Sequence, residues 1–143
     1  MFAMRCAHSV NEARPQGRCT LEVAYVEGGS TPSAYWMRVC EGGLEFQPLG
    51  RRSDVRRLRS QRFTDLQWML QSPPVQVAMR SLAQRYPAHE VPSDQAFFGV
   101  RYSGAEVHVT SEQLPPILCD VFRELDDLFR EVYPSYRGYL VRP

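Results

Sequence analysis

Residues 97–110 read FFGVRYSGAEVHVT, and the spacing within this stretch decides the fold. A two-residue turn at Ser103-Gly104 sets Tyr102 opposite Ala105, Val100 opposite Val107 and Phe98 opposite Val109, all on one face. The same register sets Arg101 opposite Glu106 and Gly99 opposite His108 on the other face. One alignment thus satisfies an apolar surface and a cross-strand charge pair together. A slip of one residue destroys both, because strand side chains alternate with period two.

Upstream, residues 20–26 alternate with Leu21, Val23 and Tyr25 on one face, and residues 34–40 do so with Tyr35, Met37 and Val39. The loop between them holds Gly28, Gly29 and Pro32. A turn at Gly42-Gly43 predicts Val39 opposite Phe46 on a short third strand. Two helices are expected after Pro-Pro steps, where a proline suits the first turn because the N–H it lacks would have no partner there. After Pro73-Pro74, the residues Val75, Ala78, Met79, Leu82 and Tyr86 recur at helical spacing. After Pro115-Pro116, so do Leu118, Val121, Phe122, Leu125, Leu128, Phe129 and Val132. Both stripes end at Tyr-Pro steps, Tyr86-Pro87 and Tyr133-Pro134, since proline disfavours helix in the residue before it. A shorter helix is expected over residues 65–71, with Phe63, Leu66 and Leu70 turned inward. The fold class is α+β, in the order ββ(β)-αα-ββ-α. It is an antiparallel sheet of four to five strands in two hairpin units, with helices packed on one face. Residues 1–18 read as an irregular arm, 19–134 as a single domain and 135–143 as an aromatic tail with Tyr136 and Tyr139.

A chain of 143 residues, 43% hydrophobic, has the length and composition of one globular domain. All seventeen basic residues are arginine, and Ile117 and Asn11 are alone of their kinds, which is the bias of a GC-rich, bacterial coding sequence. The net charge of +1 argues against a nucleic-acid binder unless charge is segregated. No stretch is apolar enough for a membrane span or a secretory leader, so a cytoplasmic location is expected. With it goes the expectation that Cys6, Cys19, Cys40 and Cys119 are free thiols.

Charge is segregated at one place. Arg51, Arg52, Arg56, Arg57, Arg59 and Arg62 fall within twelve residues against Asp54 alone. On a helix, Arg52, Arg56 and Arg59 would share a face and could fork onto carboxylates or phosphates. The run has three readings: a solvated connector, a contact for an acidic protein, or a nucleic-acid patch. Aromatic residues, which single-strand binding favours, are absent within it. The opposite pole is the stripe Asp120, Glu124, Asp127 and Glu131 on the last helix, expected to face solvent or to pair with the Arg run. It lacks the histidines a metal site needs. Cys6 and His8 lack a second ligand pair, and no nucleophile elbow, phosphate loop or dinucleotide fingerprint occurs. No catalytic residue, metal ligand or cofactor is assigned.

The strand and loop from Leu21 to Gly29, and the run from Phe98 through the Leu114-Pro115 step to Leu118, resemble the emfourin family of metallopeptidase inhibitors. That resemblance implies a small inhibitor whose Gly-Gly loop is followed by an aromatic residue. Here Ser30 stands in that place.

Together these features predict a non-catalytic protein-binding module, such as an inhibitor, an immunity protein, a secretion chaperone or an assembly subunit. Its expected contact residues are Arg51, Arg52, Arg56, Arg59, Gly28, Gly29, Tyr136 and Tyr139. Two alternatives stand beside it: an enzyme assembled from scattered residues such as His108, Cys119 and the acidic stripe, and nucleic-acid binding through the Arg run.

Overall fold

The computed structural model describes residues 18–26, 34–48, 51–87 and 97–136. The hairpin of residues 97–110 forms as its spacing dictates. Strand β5 (Phe97–Tyr102) meets β6 (Ala105–Val109) in the expected register, Phe98 with Val109, Val100 with Val107 and Tyr102 with Ala105. Ser103 and Gly104 both take positive φ, 53° and 83°, the conformation that matches a two-residue turn to the twist of its strands.

Among the described residues the sheet has six antiparallel strands. Strands β1 (Cys19–Val26), β2 (Ala34–Cys40), β3 (Gly43–Pro48) and β4 (Asp54–Arg57) form a meander, and β5 returns to the free side of β1, giving the order β4-β3-β2-β1-β5-β6. Two details differ from the sequence reading. The β2–β3 turn is Glu41-Gly42, which pairs Val39 with Leu44 and Met37 with Phe46. That register differs by two residues from the expected one, so the apolar face is preserved. Gly43 serves the next pairing instead: a Cβ there would lie 2.0 Å from the Arg56 carbonyl oxygen, so only glycine lets β4 approach. The second difference is β4 itself, which lies inside the Arg run where a helix or connector was expected.

Three rows of side chains cross the sheet on one face, the central one being Phe46, Met37, Val23, Val100 and Val107. Against them pack the buried stripes of three helices in one continuous core. Helix α1 (Gln61–Gln71) contributes Phe63, Leu66 and Leu70, and α2 (Pro73–Arg85) contributes Val75, Met79 and Leu82. Helix α3 (Pro116–Val132) contributes Leu118, Val121, Phe122, Leu125, Leu128 and Phe129. Helix α1 starts four residues earlier than expected because Ser60 caps it, its hydroxyl accepting from the Phe63 N–H at 3.1 Å. Ser72 alone separates α1 from α2, held extended by the proline that follows. Helices α2 and α3 end at Tyr86 and Tyr133, as their Tyr-Pro steps require.

Cys19 and Cys40 stand opposite each other at one end of the β1–β2 pair and form a disulfide, while Cys119 is free. The expectation of free thiols is therefore corrected for Cys19 and Cys40. Strand pairing brings together two cysteines that lie 21 residues apart in sequence. Cys6 lies outside the described residues. Among the described residues no helix is long and apolar enough to cross a membrane.

Candidate protein-interaction surface

The face of the sheet away from the helices carries a second ordered feature. Glu45 of β3, Arg38 of β2, Glu22 of β1, Arg101 of β5 and Glu106 of β6 are successive partners across five strands. Their charges alternate. Arg38 lies 3.4 Å from Glu45 and 3.5 Å from Glu22, and Arg101 lies 3.6 Å from Glu22 and 3.3 Å from Glu106. Arg38 and Glu45 are wholly buried, and the Arg38 guanidinium stacks over Trp36 at 4.3 Å. The row gives the sheet its register. Alternation on the apolar face forbids a slip of one residue but tolerates a slip of two, and a slip of two would tear every ion pair in this row. His108, expected at the surface, has a side chain only 11% exposed and lies 3.6 Å from Glu106.

The enzyme reading would be favoured by a pocket in which two of His108, Cys119 and the acidic stripe converge. His108 lies on the outer face of the sheet, whereas Cys119 and the stripe belong to α3 on the other side. The Cys119 thiol donates to the Leu114 carbonyl oxygen at 3.7 Å. Among the described residues no cluster of three or more His, Cys, Asp or Glu could hold a metal ion.

The Arg run divides into two sets. Arg56 is held by a bidentate pair with Asp54, both contacts at 2.9 Å, by the Val132 carbonyl and by the Tyr133 ring. Arg62 reaches across to α3, 3.4 Å from Asp127, 3.6 Å from Glu131 and 4.0 Å from Glu124. The acidic stripe is therefore the partner of one arginine of the run, while Asp120 pairs with Arg123 and Asp127 also with Arg130. Arg51, Arg52, Arg57 and Arg59 are exposed and make no ion pair among the described residues. They flank or belong to β4, an edge of the sheet.

Of the expected contact residues, Arg51, Arg52, Arg56 and Arg59 thus all lie on the surface, where Arg56 is paired with Asp54 and the other three have no ion-pair partner among the described residues. The helical face proposed for Arg52, Arg56 and Arg59 is corrected: these residues span a strand and its flanks, so they do not share one side by helical spacing. Tyr136 is corrected as well. It is buried, packs edge-on against Tyr35 and Phe46, and donates its hydroxyl to Asp126. Gly28, Gly29 and Tyr139 lie outside the described residues. Arg57 joins the open set; its exposure follows from the strand that the sequence reading missed. Trp68, 68% exposed on α1, is a large apolar surface residue left out of the expected set. Its place opposite the Phe63, Leu66 and Leu70 stripe was readable from helical spacing.

The phenols beneath this surface give a testable consequence. Tyr35 is pushed far above the ordinary tyrosine range by burial, with Tyr136 beside it adding to the effect. Tyr133 is raised by burial and then by Asp54, while its hydroxyl lies 3.0 Å from the Leu44 carbonyl and 2.8 Å from that of Asp54. A raised folded pKa means the unfolded chain loses these protons first. Their contribution is complete below pH about 10 and falls above it by about 1.4 kcal/mol per pH unit for each phenol. Urea midpoints measured from pH 9 upward are expected to drop steeply. Smooth titration of all seven tyrosines near pH 10 in the folded protein, followed by phenolate absorbance, would contradict this burial.

Searches with protein-family models, among curated proteins and among solved structures found no match.

Proposed function

We propose that this chain is a non-catalytic protein-binding module that meets an acidic protein partner through Arg51, Arg52, Arg57 and Arg59. One observation carries the reading. Within a single arginine-rich run, Arg56 and Arg62 are neutralised by part-exposed acidic partners of the same chain, whereas these four are exposed and make no ion pair among the described residues. Exposed cations on a common edge raise the encounter rate with a negative surface and contribute little to the stability of the free protein. An inhibitor, an immunity protein, a secretion chaperone and an assembly subunit all remain forms of this proposal. The cytoplasmic location belongs to it too, and the Cys19–Cys40 bridge fits that location only as one that opens and closes, because cytosolic disulfides are usually transient.

Poly-glutamate and a duplex DNA oligonucleotide are suitable probes. The wild-type protein is expected to bind poly-glutamate with an association rate that falls as salt rises. Changing Arg51, Arg52, Arg57 and Arg59 to Gln should reduce that rate roughly tenfold or more with an unchanged melting temperature. Tighter binding of DNA than of poly-glutamate would replace this reading with the nucleic-acid one.

A further inference from the structure

The two sulfurs of the Cys19–Cys40 bridge sit in unequal surroundings. Cys40 is fully buried at the end of β2. Cys19 is partly exposed and lines a pocket of about 300 Å³, together with Thr20, Glu22, Arg101, Ser103 and Glu106. The Arg38 guanidinium lies 4.0 Å from the Cys19 sulfur. A thiolate approaching through this pocket meets Cys19, and a sulfur released there lies beside the Arg38 guanidinium that Glu22 and Glu45 also hold.

We propose that the Cys19–Cys40 bridge is a thiol–disulfide exchange site, opened from the Cys19 side by a dithiol reductant. The reductant's thiolate attacks the Cys19 sulfur. The S–S bond breaks, its electron pair leaves on the Cys40 sulfur, and that sulfur takes up a proton. The second thiol of the reductant, as thiolate, attacks its own sulfur in the mixed disulfide and expels the Cys19 thiolate beside Arg38. The net change is two electrons and two protons moved from the dithiol to the protein, leaving two protein thiols and an oxidised reductant. The lining carries two carboxylates against one guanidinium, so a neutral dithiol is favoured over an anionic thiol. The acidic partner proposed above has no part in this chemistry.

Dithiothreitol and glutathione are the probes, used on folded protein without denaturant and followed by alkylation and peptide mass mapping. Dithiothreitol is expected to open the bridge while the circular dichroism spectrum stays native. Glutathione is expected to react more slowly and to be trapped on Cys19 at least tenfold more often than on Cys40. A Cys6→Ser/Cys119→Ser background removes competing thiols, and a digest of the wild-type protein gives the same readout should that variant fail to fold. A bridge that opens only at denaturant concentrations that unfold the chain, or glutathione found equally on both cysteines, would overturn the proposal.

Discussion

Replacing Val107 with Asp is expected to unfold the domain or to destabilise it by roughly 4 kcal/mol or more, against a total stability of about 5–15 kcal/mol for a chain of this kind. Val107 is 1% exposed, at the end of the row that runs from Phe46 through Val100, with helices packed over it. A carboxylate placed there has neither water nor a cation to stabilise it. Ser111→Asp is the control, since Ser111 is exposed and begins a short 3-10 turn where a negative charge is tolerated. It is expected to change stability by no more than about 0.5 kcal/mol. Urea denaturation of both variants checks the pair, and equal midpoints would refute the assigned face of β6.

The second large effect concerns Arg38. Changing it to Met removes the cation held between Glu22 and Glu45 and takes an ion-pair partner from a carboxylate that is wholly buried. Breaking a buried pair from one side costs about 3–5 kcal/mol. Met occupies much of the same volume, so little of that loss arises from a cavity. Adding Glu45→Gln to the Arg38→Met variant removes that buried charge and is expected to restore part of the stability. Chemical denaturation of the two single variants and the double variant closes the cycle. Additive losses would show that Arg38 and Glu45 do not interact.

The hairpin of residues 97–110 was legible because two independent signals agreed on one register: the apolar partners of Phe98, Val100 and Tyr102, and the Arg101–Glu106 pair. Helices α2 and α3 were legible from proline at both ends. The β2–β3 turn was misplaced because alternation alone cannot distinguish registers two residues apart. Arg38 opposite Glu45, which fixes the true one, becomes a signal only when Glu22 and Arg101 are seen to continue the row. Strand β4 was hidden because Asp54, Val55, Arg56 and Arg57 show no apolar alternation, and an edge strand facing solvent needs none. The disulfide depended on a pairing between strands that local spacing does not reveal. Of the candidate surface, Arg51, Arg52 and Arg59 were read correctly as exposed. Arg56 is exposed too, but its bidentate pair with Asp54 and its contacts with Tyr133 and Val132, from the far end of the chain, were not read.

The Arg run has one set of arginines paired within the chain and one set left open, and the two are proposed to have different tasks. Capture of partners from the native host, with tagged wild-type protein, the Arg51/Arg52/Arg57/Arg59→Gln variant and an Arg62→Gln variant in parallel, tests that division directly. Arg62→Gln severs the contacts to Glu124, Asp127 and Glu131 but leaves the outward surface intact, and because those groups are part-exposed the loss of stability is expected to be about 1 kcal/mol or less. The account predicts a partner held by wild type and by Arg62→Gln in similar amounts, released by salt, and lost from the fourfold variant while that variant melts as wild type does. A partner retained by the fourfold variant, or lost equally from both variants, would contradict it.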